Sequence, residues 1–293
     1  MNSANGAAVI VGVDGSPAAH TAVRLAAAQA RRHHRPLRVV HGFIWPHLHV
    51  ATDPPPDGPP GGGLRPAAER LVADAVQTAR TVAPDLPVTG EIIDGSASTV
   101  LLGEAPTAAM IVVGARGLGG FAALLVGSVA VQVTSHAPCP VLVARGDDHP
   151  TGPVVVGVDA SPLSHDAVEF AAREALTRDT DLVALHAYRH PTTTGPGDMQ
   201  PLVYDRADLH EEEDRVTAEV LAGAADRWPG LTVTRRTVRA RPRAALLDAA
   251  RTAQLVVVGG HGHSALGGLL LGSTGHALLH HADCPVAVVR APH

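Results

Sequence analysis

Residues 111–130 read "IVVGARGLGGFAALLVGSVA". A β-branched run stops at Gly114, Gly117 follows after two residues, and Gly127-Ser128 follows after nine more. Residues 256–275, "VVVGGHGHSALGGLLLGSTG", repeat the same spacing with Gly259, Gly262, Gly272 and Ser273. The pattern is a strand, a glycine-spaced loop and then a helix. Backbone N–H groups at such a junction can hold an anion without a basic side chain. Glycine frees the loop for positive φ and lets phosphate oxygens approach the backbone. Ser128 stands where a helix N-cap is expected, and its hydroxyl can instead face a phosphate. Arg116 adds a cation to the first loop, and His261 takes that place in the second.

The repeat extends beyond the loops. A shift of 145 places Gly12, Asp14, Ser16, Pro17, His20 and His41 on Gly157, Asp159, Ser161, Pro162, His165 and His186. It also places Cys139 and Arg145 on Cys284 and Arg290. Two copies are therefore expected, as domains at 1–146 and 153–293, joined through the polar "RGDDHPTGP" at 145–153. Within each copy, short apolar runs alternate with helical patterns. In the first, strands are expected at 7–13, 37–43, 87–93, "AMIVVGA" and "PVLVAR", and helices at 16–34, 67–82, 97–106 and from 128. The Pro/Gly-rich stretch 46–66 reads as a mobile surface loop. Alternating strands and helices imply right-handed crossovers and a parallel sheet covered on both faces. In such an α/β domain the ligand crevice lies where strand order reverses, beyond the carboxyl ends of the strands. Asp14 and Gly114 meet there if the first and fourth strands are neighbours.

Composition narrows the function. Hydrophobic residues make up 45% of the chain and aromatics only 2%, so the core must be built from Val, Leu, Ala and Ile. The formal charge of −5 argues against a broad nucleic-acid surface. No apolar run reaches the ~20 residues a membrane helix needs, and "MNSANGAAVIVGVDGS" lacks the basic start and long apolar core of a secretion signal. The expectation is a cytoplasmic protein with no membrane contact. Two cysteines do not make a disulfide scaffold, and both read as small buried hydrophobes. Neither loop is a Walker A loop, because the chain has no lysine, and neither follows the first strand as a Rossmann fingerprint does. "VGVDGS" is not a nucleophile elbow. The "HGH" at 261–263 is too sparse for a metal site, and "EEED" at 211–214 reads as a solvated helix face.

Together these residues resemble the universal stress protein family. "GARGLGGFAALLVGS" and "GGHGHSALGGLLLGS" match its loop G-x2-G-x9-G-[ST], "VGVDGS" and "VGVDAS" its first strand and turn, and "CPVLVAR" and "CPVAVVR" its final strand. The resemblance covers both halves and implies two tandem doubly wound domains, each a five-stranded parallel sheet in order 3-2-1-4-5 with helices on both faces. It implies ATP as ligand, with or without Mg²⁺. Asp14 and Asp159 would approach the ribose and adenine, Gly42 and Ala187 would meet adenine through their backbone, and the loop glycines with Ser128 and Ser273 would hold the phosphates. It also implies a homodimer and antiparallel pairing of final strands, which "VLVAR" and "VAVVR" can make within one chain. The family often has G-x-P after its third strand. The first copy has "DGSAS" with Gly95, and the second has "RARPR" with Ala240 and Pro242. That departure places the adenine side of the second site apart from the first. No general base stands in either glycine loop. The reading carried forward is an ATP-binding regulatory stress-response protein that signals through conformation or a partner. A slow ATPase and a nucleotide-free scaffold stay open beside it.

Overall fold

The computed structural model describes residues 7–50, 52, 62–118, 126–146, 149–189, 206–260 and 271–290. In the first half these form β1 (Val9–Gly12), α1 (Pro17–Arg32), β2 (Leu37–Phe43), α2 (Leu64–Val82), β3 (Val88–Asp94), α3 (Ala97–Glu104), β4 (Met110–Gly114), α4 (Ser128–His136) and β5 (Val141–Ala144). The second half repeats the order: β6 (Val154–Val158), α5 (Leu163–Thr177), β7 (Leu182–Tyr188), α6 (Arg206–Val220), α7 (Ala224–Arg227), β8 (Val233–Arg239), α8 (Pro242–Ala250), β9 (Leu255–Gly259), α9 (Ser273–His281) and β10 (Val286–Val289). Strand order within the sheet is β3-β2-β1-β4-β5-β10-β9-β6-β7-β8. Each half therefore has the order 3-2-1-4-5, and the two halves share one ten-stranded sheet.

The join is the single antiparallel step, with β5 against β10. Leu142 faces Ala287 there. These two residues are 145 apart, so they hold equivalent positions and mark the local two-fold axis between the halves. Arg145 reaches across the join and donates to the carbonyls of Leu279 and Ala282 near the end of α9. It thereby satisfies acceptors that a helix C-terminus leaves open.

Alternation along each strand divides the core into two layers. Val9, Val11, Met110 and Val112 pack on the face covered by α1 and α2, whereas Ile10, Ile111 and Val113 pack on the face with α3 and α4. Both layers run through the join into the second half. α1 begins as its sequence predicts: the Ser16 hydroxyl accepts from Ala19 N–H, and Pro17 opens the helix. It buries Ala19, Ala22, Val23, Ala26, Ala27 and Ala30, a helical face of small side chains.

That small face brings two equivalent polar residues together. Gln29 of α1 donates to Glu174 of α5 at 2.8 Å. His33 Nε2 lies 2.7 Å from the other Glu174 oxygen, and Arg178 Nε donates at 3.1 Å. The Glu174 side chain is fully buried. Burial pushes its carboxyl up, but the His33 hydrogen bond, the Arg178 charge and Gln29 outweigh this and hold it below the usual carboxylate range.

One expectation needs correction here. The stretch 46–66 is not structureless throughout: Trp45–Leu48 form a 3-10 turn, and α2 begins at Leu64 with Gly63 as its N-cap. Gly63 has φ +99°, a conformation that suits glycine. Residues 53–61 lie outside the described residues.

Candidate functional site

β1 pairs in parallel with β2 on one side and β4 on the other, so strand order reverses at β1. The turn after β1 carries Asp14, and β4 ends at Gly114. A cavity of about 370 Å³ opens between them. Asp14, Gly42, Gly114, Gly117, Gly127 and Ser128 all line it. Val40, Leu101 and Val113 supply apolar wall. The volume lies within the range of small-molecule sites.

Asp14 ties two walls together. Its Oδ1 accepts from Ser16 N–H at 3.0 Å, and its Oδ2 accepts from Leu118 N–H in the glycine loop at 2.9 Å. The loop glycines have different reasons for being glycine. Gly114, Gly117 and Gly127 are not among the positive-φ residues, so the conformational freedom expected from the sequence is not what selects them. A Cβ on Gly114 would sit 2.8 Å from the backbone of Ala18, and one on Gly117 would sit 2.5 Å from Asp14 Oδ2. Gly127 is unlike these, since a Cβ there would meet nothing nearer than 3.6 Å. Its φ of −77° and ψ of 150° suit any residue. A Cβ there would rest in ordinary van der Waals contact with the backbone of Ala115, Arg116 and Gly117, with no clash.

Ser128 is not the N-cap. Gly127 holds that position, Ser128 is the first helical residue, and no side chain caps α4. Helix α9 likewise has Gly272 as N-cap and no side-chain cap. The first-turn N–H groups of both helices stand at a cavity wall without intrahelical acceptors.

In the second half a cavity of about 670 Å³ lies at the matching reversal beside β6. Asp159, Ala187, Gly259, Gly272 and Ser273 line it. Gly262, with His261 and His263, lies outside the described residues. Asp159 Oδ1 accepts from Ser161 N–H and from the hydroxyls of Ser161 and Ser164. Ser164 takes the place of Ala19, so this aspartate is held by its own turn. The sequence reading did not select Arg189, Arg241 and Arg243, which also line this cavity. For Arg241 and Arg243 the signal is the "RARPR" stretch, of which only the alanine and proline enter the comparison with the family's turn. His41 and His186 each donate through Nδ1 at 2.8 Å, His41 to the carbonyl of Val13 just after β1 and His186 to that of Val158 at the end of β6. Their role is to hold strand ends. Among the described residues, no group of three or more His, Cys, Asp or Glu gathers to hold a metal ion. No described helix is long and apolar enough to cross a membrane.

The model of the Universal stress protein family matches residues 7–145 and again residues 151–290. The chain belongs to that family. Universal stress protein Rv1996 of Mycobacterium tuberculosis is 37% identical over an alignment covering 97% of this chain and 95% of the relative. A universal stress protein of Mycolicibacterium smegmatis is 36% identical over 99% of both chains. The crystal structure of a universal stress protein from Archaeoglobus fulgidus aligns with a TM-score of 0.68 at 19% identity, covering 97% of this chain and 98% of that one. That likeness extends the fold to the whole tandem chain.

Proposed function

We propose that each half, 1–146 and 153–293, binds an adenine nucleotide in its crevice, and that occupancy rather than turnover is the signal the protein sends. In the first half the N–H groups of Gly117 and of the first turn of α4 from Ser128 would hold the phosphates of ATP, with Gly114 and Gly127 lining the approach, since the Gly127 N–H already donates to the Ala115 carbonyl. Asp14 and Gly42 would face the ribose and base. Asp159, Ala187, Gly259, Gly262, Gly272 and Ser273 would serve the second half. Mg²⁺ would accompany the phosphates by binding their oxygens.

One observation carries this reading. Gly127 is glycine beside an open cavity, although neither its dihedrals nor its neighbours require it. A ligand approaching the backbone supplies the missing reason. The uncapped starts of α4 and α9 offer donors at the same walls. Turnover has less support, because His41 and His186 are engaged with main-chain carbonyls and a poised base is what phosphoryl transfer to water needs. The buried free thiols fit the cytoplasmic placement. Mass spectrometry of ligand released from the purified protein, with titration of ATP, ADP and AMP, tests the reading. Saturable binding is expected. Absence of binding at millimolar nucleotide would refute it.

A further inference from the structure

The two cavities carry their cations on opposite walls. In the first, Arg116 lies on the glycine-loop side. In the second, Arg189 follows β7, and Arg241 and Arg243 flank the start of α8 after β8. Removing the offset of 145, these three positions are Ile44, Ser96 and Ser98 in the first half, all uncharged. No ion pair engages Arg189, Arg241 or Arg243 among the described residues. Asp159, the carboxylate on the second cavity wall, accepts from Ser161 and Ser164.

Sheet order gives the spacing. β9, which leads into the glycine loop, is separated from β7 by β6, and β8 lies one strand further. At ~4.8 Å per strand the arginine wall stands roughly 10–14 Å from the wall at the end of β9. An arginine side chain spans part of that gap, and its guanidinium makes paired hydrogen bonds to phosphate. A 5′-phosphate chain held at Gly272-Ser273 leaves these arginines facing the far side of the nucleoside.

We infer that the second cavity selects a nucleotide with a second phosphate separated from the first by the ribose, the chemistry of a nucleoside 3′,5′-bisphosphate, while the first takes ordinary 5′-nucleotides. The inference rests on the nucleotide-binding reading above and adds the ligand class of one site. It also gives the departure after β8 a function: "RARPR" replaces the usual turn with two arginines around Pro242.

Isothermal titration of the full chain with AMP, ADP and adenosine 3′,5′-bisphosphate tests it. ADP carries its two phosphates together, so comparison with the bisphosphate separates phosphate placement from phosphate number. The wild type is expected to show one site per chain that prefers the bisphosphate over ADP by about tenfold or more. The double variant Arg241→Gln, Arg243→Gln should lose that preference and keep its AMP affinity within about threefold. These arginines are exposed, so the variant is expected to fold. Equal binding of ADP and bisphosphate by the wild type, or a preference that survives in the variant, overturns the inference and leaves the nucleotide-binding reading intact. Failure of AMP, ADP and the bisphosphate alike to bind the wild type overturns both.

Discussion

Asp14 Oδ2 accepts the N–H of Leu118 at 2.9 Å, so a carboxylate from the turn after β1 holds the glycine loop after β4. Residues 104 apart in sequence thus set the width of the first cavity mouth. Asp14→Ala removes this bond and the one to Ser16. Stability should fall by about 1 kcal/mol, because the Leu118 contact is exposed to solvent. Nucleotide affinity of the first site should fall by about tenfold, read by titration. An unchanged affinity would show that the aspartate serves the turn alone.

The glycines of the first loop should separate by phenotype. Gly114→Ala forces a Cβ to 2.8 Å from the Ala18 backbone and should cost about 1–3 kcal/mol, measured by urea denaturation. Gly127→Ala meets nothing nearer than 3.6 Å and should leave stability within about 1 kcal/mol. Its expected effect is on ligand affinity, a loss of about tenfold. Equal losses of stability in the two variants would remove the argument that Gly127 is kept for a ligand.

The Gln29–Glu174 contact predicts a pH dependence. The Glu174 carboxyl is held below its ordinary value of 4.5 in the folded protein. Its contribution is therefore present above pH 4.5 and is lost as pH falls through the lower folded value. Glu174→Gln leaves the Arg178 guanidinium buried without its counter-charge and should cost about 3 kcal/mol at neutral pH. Stability of the variant should also fall less steeply than wild type below pH 4.5. Urea midpoints across an acid series check both statements, and parallel acid limbs would contradict them.

Burial pushes the Cys139 thiol up to about 11 and the Cys284 thiol up to about 12. Neither should react with a disulfide reagent in native buffer at pH 8, since the thiolate is the nucleophile. Both should react at once in denaturant. Rapid labelling of the native protein would show that the bends carrying them, just before β5 and β10, open.

Much of the fold was legible because duplication doubles every signal. The offset of 145 and the Val-rich strands led to two α/β halves with parallel strands, while the strand order that places the cavities at β1 and β6 came from the resemblance to the universal stress protein family. The Ser16 cap was read correctly from its Ser-Pro pair. The Ser128 cap was not, because Gly127 and Ser128 are adjacent and only backbone geometry decides which one precedes the first helical residue. The polar contact between the halves was also missed. Gln29 and Glu174 are ordinary helix residues in one dimension, and only the two-fold join buries them against each other. The arginine wall was overlooked for a related reason: Arg189 and Arg241 are far apart in sequence, and it takes the β7–β8 pairing to bring them to one cavity.

The central claim is that both crevices are built around nucleotide phosphates. Equilibrium titration of ATP and AMP against the wild-type chain, beside the paired variant Asp14→Ala, Asp159→Ala, tests it most directly. The account predicts saturable binding with two sites per chain, weakened about tenfold or more in the variant. Wild-type protein that takes up neither nucleotide at millimolar concentration, or a variant that binds both as well as wild type does, would contradict it.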